Sequence, residues 1–158
     1  MVFSSLIFLF AYLPAVLLLY YITPRKGKNL ILFVVSLFFY AWGEPIYVLL
    51  MLLSITLAYF FGLLIGEYRK ENPRRAKLFT VLSVCISLSF LLFFKYYNFF
   101  ALNLSRVPMV NVPTIAGLAL PIGISFYTFQ IISYTVDVYR GECAAQKNYI
   151  NFGAYVTL

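Results

Sequence analysis

The chain has 158 residues, of which 63% are hydrophobic and only 11% charged, and it carries a net charge of +7. A soluble domain has about 25% charged residues, so too few polar side chains are present here to cover a surface in water. The composition therefore excludes a soluble globular protein. It also argues against nucleic-acid binding, because the basic residues stand in short clusters between apolar runs instead of forming one patch.

Several kinds of site are also excluded by residue content. The chain has no histidine, so these residues supply no imidazole base and no histidine-ligated metal. Its two cysteines, Cys85 and Cys143, are far apart and have no CxxC spacing, which argues against a zinc site or a disulfide framework. No glycine-rich phosphate-binding motif or hydrolase motif occurs. We therefore predict no metal and no bound cofactor.

The first half of the chain predicts three membrane spans. A bilayer core of about 30 Å requires about 20 apolar residues in a helix. Residues 2–22 fit this length, with Pro14 as a tolerated kink, and no basic residue precedes them as in a secretory signal. Residues 30–42 form a shorter apolar run that requires local thinning of the bilayer, or Tyr40 and Trp42 at the interface. Residues 46–65 form the third span, and the predicted connections are a basic loop at 23–29 and a turn at 43–45.

The second half predicts two further spans. Residues 66–77 are polar and predict a loop, and residues 78–94 form the fourth span, followed by an interfacial group at 95–98. The next stretch, 103–117, contains prolines and asparagines and predicts a loop or a short surface helix. The fifth span, 118–138, is apolar but carries many polar side chains. A polar stretch then extends to Asn151, and another apolar run occupies 152–158.

The distribution of basic residues predicts the orientation of these spans. With the amino terminus outside and five crossings, ten Lys and Arg fall in inside loops and two fall outside. The inside set is Arg25, Lys26, Lys28, Arg69, Lys70, Arg74, Arg75, Lys77, Arg140 and Lys147, and the outside set is Lys95 and Arg106. Because cytoplasmic loops are enriched in Lys and Arg, we predict an all-α, polytopic bundle in the cell (inner) membrane, surrounded by lipid. Residues 1–158 are expected to be the amino-terminal part of one membrane domain, truncated within the next apolar segment.

The fifth span contains the candidate site residues. Tyr127, Gln130, Tyr134 and Asp137 recur at spacings of three and four, so on a helix they share one stripe. Polar side chains are costly in lipid and usually face a bundle interior or a wet cavity, so this stripe could line a path for a polar substrate. The alternative is structural: the hydroxyls and amide could join helices by hydrogen bonds, and Asp137 could pair with Arg140.

Three stretches carry a resemblance to a known family. MVFSSLIFLFAYLPAVLLLYYI, NLILFVVSLFFYAWGEP and above all LPIGISFYTFQIISYTVDVYRG resemble the membrane-bound O-acyltransferase family, of the alginate O-acetylation type. The resemblance extends over essentially the whole chain. It implies a multi-spanning enzyme that takes acetyl from a cytoplasmic thioester, acetyl-CoA, and passes it to an extracytoplasmic polysaccharide with the help of a secreted or anchored acetyltransferase partner.

The resemblance also implies a catalytic histidine, which no position of this chain provides. We therefore expect this part alone to be inactive. Two alternatives remain open, a transporter or flippase subunit and a non-catalytic membrane scaffold. A transporter half would show an internal repeat or paired broken helices, and the sequence has neither.

Overall fold

The computed structural model describes residues 6–25, 27–105, 113, 115, 121 and 123–158. Within these residues all regular structure is helical, which confirms the all-α prediction. The chain begins with a π-helical turn, Phe8–Tyr12, that continues into α1 (Leu13–Ile22). It is followed by α2 (Lys28–Gly43), α3 (Tyr47–Glu71), α4 (Pro73–Leu104), α5 (Ile124–Arg140) and α6 (Tyr149–Thr157).

The prediction of a polar loop at 66–77 is wrong. Helix α3 continues to Glu71 and α4 begins at Pro73, so that only Asn72 interrupts the two helices. Asn72 caps α4, because its side-chain oxygen accepts a hydrogen bond from the Arg75 N–H at 3.4 Å, and proline suits the first helical position. Charged residues here extend two helices beyond their apolar parts. Polarity marked the end of each apolar run and not the end of the helix.

Helix α4 is also longer than predicted. It includes the interfacial group at 95–98 and ends at Leu104, a length of about 48 Å at 1.5 Å per residue. Among the described helices, α3 and α4 are long and apolar enough to cross a membrane, with mean hydropathy of 2.5 and 2.1. Helices α1 and α2 are apolar but shorter. These helices fit a membrane protein, and the number of crossings stays a prediction.

Several predicted boundaries fall partly outside the described residues. These include the start of the first span, most of the loop at 103–117, and residues 118–120 and 122 of the fifth span. Within the described part, α5 starts at Ile124 and α6 starts at Tyr149, three residues before the predicted apolar run at 152.

Helix α5 lies at the centre of the bundle. It packs against α3 and α4, and its residues at helical spacing are buried: Ile124, Tyr127, Ile131, Tyr134 and Val138. Helix α6 packs mainly on α2. Helix α1 contacts α2 and none of the described helices that follow α2. Large apolar side chains such as Leu49, Phe60 and Phe126 remain exposed on the outside of the bundle. Such an apolar exterior fits hydrocarbon and not water.

The connection between α5 and α6, residues 141–148, is not helical. Helix α5 ends at Gly141, which has a φ of +82°, a conformation that favours glycine. A Cβ atom at this position would also collide with the guanidinium group of Arg69. We call residues 141–148 the connecting segment.

Gly62→Ala tests the contact between α3 and α5. A Cβ atom on Gly62 would lie 2.7 Å from Cε1 and 2.8 Å from the hydroxyl oxygen of Tyr134, so the buried ring would have to move. Overpacking of this kind costs about 1–3 kcal/mol. We expect a lower midpoint of thermal unfolding for the full-length protein in detergent.

Gly27→Ala is the matched control, because its new Cβ would meet chiefly the methyl end of the Thr23 side chain, at 3.0 Å, outside the packed bundle core. Equal unfolding midpoints for the Gly62→Ala variant and the unaltered protein would contradict the described packing.

Candidate functional site: a cavity along α5 and the connection from α5 to α6

The polar stripe of α5 divides into two environments. Tyr127 and Gln130 line a cavity of about 520 Å³ between α1, α2, α5 and the end of α6. Tyr134 and Asp137 lie further along the helix and do not line this cavity. The four predicted residues therefore do not form one continuous lining.

Tyr134 supports the connecting segment. Its hydroxyl accepts a hydrogen bond from the backbone N–H of Gln146 at 2.9 Å. Its ring packs on Phe152 of α6, with 4.6 Å between ring centroids, and lies against Gly62. These contacts are the structural alternative that the sequence left open for this residue.

Tyr59 also holds the connecting segment against α3, and Tyr149 holds the start of α6 there. The Tyr59 hydroxyl donates to the backbone carbonyl of Lys147 at 2.6 Å. The hydroxyls of Thr56 and Tyr149 are 3.0 Å apart and share a hydrogen bond. Five of the eight residues of the connecting segment are exposed, and tyrosine hydroxyls pair with two of its backbone groups, the Gln146 N–H and the Lys147 carbonyl.

Asp137 does not pair with Arg140. The Arg140 guanidinium lies 4.0 Å from the Glu142 carboxylate, and both side chains are exposed, so this ion pair contributes little stability. The Asp137 side chain is half-buried, while its backbone carbonyl accepts from the N–H groups of Gly141 and Glu142. Arg69 donates to the carbonyl of Arg140 at 3.2 Å and so joins the ends of α3 and α5.

The cavity contains a polar feature that the sequence did not indicate. The hydroxyl groups of Tyr40 and Tyr127 are buried and have no hydrogen-bond partner among the described residues. A buried polar group without a partner typically costs about 1–3 kcal/mol. By contrast, the Tyr12 hydroxyl in the same cavity donates to the Val35 carbonyl at 2.7 Å. The sequence predicted Tyr40 at the membrane interface, whereas in the structure Tyr40 and Tyr127 line the same cavity, from α2 and α5.

Gln130 makes a weak contact. Its side-chain N–H group lies 3.5 Å from the Tyr155 carbonyl, at the limit of a hydrogen bond. Among the described residues, no group of three His, Cys, Asp or Glu side chains could hold a metal ion. The site thus consists of tyrosines, one amide and apolar side chains, which can bind and orient a ligand.

Comparison with curated proteins identifies relatives that match the whole chain. It is 41% identical to a protein named probable alginate O-acetylase AlgI from Pseudomonas aeruginosa, over 100% of this chain and 31% of that protein. The protein of the same name from Azotobacter vinelandii is 39% identical, over 100% of this chain and 32% of its own length. These relatives confirm the predicted resemblance to the membrane-bound O-acyltransferase family, of the alginate O-acetylation type.

A second kind of O-acetyltransferase is also similar to this chain. The peptidoglycan O-acetyltransferase of Helicobacter pylori is 36% identical, over 89% of this chain and 27% of its own length. The chain therefore corresponds to about a third of the length of its relatives in the membrane-bound O-acyltransferase family. No protein-family model and no solved structure matches it.

Cys143 in the connecting segment gives a pH-dependent test of this geometry. Partial burial raises the pKa of its thiol, and the nearby carboxylates of Asp137 and Glu142 raise it further. A raised pKa leaves less thiolate near neutral pH, so alkylation should be slower than for free cysteine and should keep rising at more alkaline pH.

The measurement is the rate of iodoacetamide labelling between neutral and alkaline pH, in a Cys85→Ala background. Asp137→Asn should shift the rate profile toward lower pH, since one of the carboxylates is neutralised. A profile that coincides with that of free cysteine would show that Cys143 does not have this environment.

Proposed function

We propose that this chain is part of a membrane O-acyltransferase that acetylates hydroxyl groups of an extracytoplasmic polysaccharide. The 41% identity to a probable alginate O-acetylase over the whole chain is the observation that supports it most. Acetyl-CoA on the cytoplasmic side is the proposed donor, and a secreted or anchored acetyltransferase is the proposed partner. The catalytic histidine of the family would lie outside these residues, since the chain contains none.

The proposed topology has five crossings in the inner membrane, with the amino terminus outside. Contacts between helix ends support it. Arg69 bonds to the end of α5, and the side chains of Asn29 and Asn151 are 3.0 Å apart at the starts of α2 and α6. Lys95 lies at the opposite end of the bundle, next to Phe94, whose ring is 5.6 Å from that of Tyr47 at the start of α3. Basic residues thus gather at one end, as expected for a cytoplasmic face.

At the basic end of the bundle the helices begin and end at different levels, and this suits a cytoplasmic donor. Helix α6 starts beside Tyr59, whereas α3 continues for another 12 residues to Glu71, about 18 Å at 1.5 Å per residue. Helix α2 starts level with α6 through the contact of Asn29 with Asn151. Helices α2 and α6 therefore begin well before the level at which α3 ends, and the connecting segment lies there against α3, with Ala145 next to Gly66. A bilayer thinned at this end would shorten the acetyl path, which agrees with the short second span.

The proposed path continues along α5 toward the other end of the bundle. Tyr127 and Gln130 line its cavity, so they are the residues that we retain from the predicted stripe as path-lining. Tyr134 supports the connecting segment instead, and Asp137 lies near the basic end. Contacts of Tyr127 and Gln130 with the acetyl group or with the acceptor would position these molecules and exclude water. The chemical step would be carried out by other residues.

An acetyl-transfer assay with the full-length protein tests the proposed direction of transfer, from the cytoplasmic to the extracytoplasmic side. Radiolabelled acetyl-CoA is supplied to the cytoplasmic face of inside-out vesicles that contain the polysaccharide in their lumen, together with the partner protein. We expect label on the luminal polysaccharide, and a loss of about tenfold or more for Gln130→Ala, on the scale of a lost polar contact in a buried site.

Ser133→Ala is the control for that experiment, because Ser133 is exposed on the same helix and its hydroxyl bonds only to the Gln130 carbonyl. Label transfer that requires donor on the opposite face would overturn the proposed direction. Full transfer by Gln130→Ala at normal expression would remove Gln130 from the path.

A further inference from the structure

In its first half, α4 has one face of small residues and an opposite face of bulky ones. The small residues are buried at helical spacing where α4 packs against α3 and α5: Ala76, Thr80 and Ser83. The bulky residues are apolar and exposed: Leu78, Val81 and Leu82. Helix–helix interfaces in membranes are enriched in small residues, because these let the backbones approach closely. Residue type, and not exposure alone, therefore favours lipid as the neighbour of the bulky face.

Two cations continue the bulky face at the basic end of the helix. Arg74 and Lys77 are exposed, and they precede Leu78 and Val81 by four residues each, so they lie one helical turn beyond them. Within the part of the chain that the structure describes, neither cation makes a salt bridge. The stretch 67–77 has five Lys or Arg against two Glu, a net charge of +3. We call the face formed by Arg74, Lys77, Leu78, Val81 and Leu82 the outer stripe.

We infer that the outer stripe binds an anionic phospholipid, with the headgroup phosphate at Arg74 and Lys77 and an acyl chain along the apolar residues. The two charges are complementary, since anionic lipids attract Lys and Arg that lie next to the end of a membrane helix. The inference goes beyond the proposed function, and its test needs no acetyl transfer.

The length of this face fits one leaflet of a bilayer. Cys85 is also exposed on this side of the helix. From Arg74 to Cys85, α4 rises about 17 Å at 1.5 Å per residue. One leaflet contributes about 15 Å to a hydrocarbon core of about 30 Å. The cations therefore lie at the depth of the headgroups when the apolar part lies in hydrocarbon.

Quenching by brominated lipids measures which lipid occupies the outer stripe. The full-length protein is reconstituted in nanodiscs of dioleoyl phosphatidylcholine, with a fluorophore on Leu82→Cys in a background without other cysteines. Phosphatidylglycerol or phosphatidylcholine with brominated acyl chains, which quench on contact, is added at increasing mole fractions. We expect phosphatidylglycerol to quench at about 25-fold lower mole fraction, on the scale of about fivefold for each cation.

Charge variants test the role of the two cations. Arg74→Gln and Lys77→Gln should each lower the preference for phosphatidylglycerol about fivefold, and the double variant should be quenched equally by both lipids. Lys95→Gln is the matched control, because Lys95 is exposed at the opposite end of the same helix, and it should keep the preference.

Three results would overturn the inference. Equal quenching by the two lipids without any charge change would show that the contact is only apolar. An unchanged preference in the double variant would show that the phosphate binds elsewhere. Quenching by neither lipid would show that another part of the full-length protein covers the outer stripe.

Discussion

The non-helical backbone between α5 and α6 is fixed to the bundle by hydrogen bonds to tyrosine hydroxyls, and the placement of α6 depends on these bonds. Tyr134 accepts from the Gln146 N–H, and Tyr59 donates to the Lys147 carbonyl. These hydrogen bonds hold the non-helical segment along α3, although most of its residues are exposed. The segment in turn lets α6 begin beside Tyr59, well before the end of α3 is reached.

This arrangement gives the bundle two unlike sides. On one side, α3, α4 and α5 pack closely together, with Gly62 giving room for the Tyr134 ring. On the other side, α6 packs mainly on α2, and α1 is attached through α2 alone among the later helices that the structure describes. The cavity lies along the boundary between these two sides.

The sequence predicted the helical class and most apolar segments because lipid-facing and buried positions both select apolar side chains. It failed at 66–77, where a single asparagine cap replaces a loop, since charge density does not distinguish a loop from helix ends that leave the membrane. The site was predicted in part. The stripe spacing predicted Tyr127 and Tyr134 as site residues, but their different environments depend on residues distant in sequence: Gln146 bonds to Tyr134, and residues of α1 and α2 line the cavity with Tyr127. No pattern within one helix carries that information.

The central claim is that the basic end of the bundle faces the cytoplasm. Its most direct test uses single cysteines in a background without Cys85 and Cys143, labelled with a membrane-impermeant maleimide that reaches only the outer face of the inner membrane. Glu71→Cys and Lys95→Cys are both at exposed positions, at opposite ends of the bundle. The account predicts labelling of Lys95→Cys in intact cells and of Glu71→Cys only after lysis. Labelling of Glu71→Cys in intact cells, with Lys95→Cys protected, would contradict it.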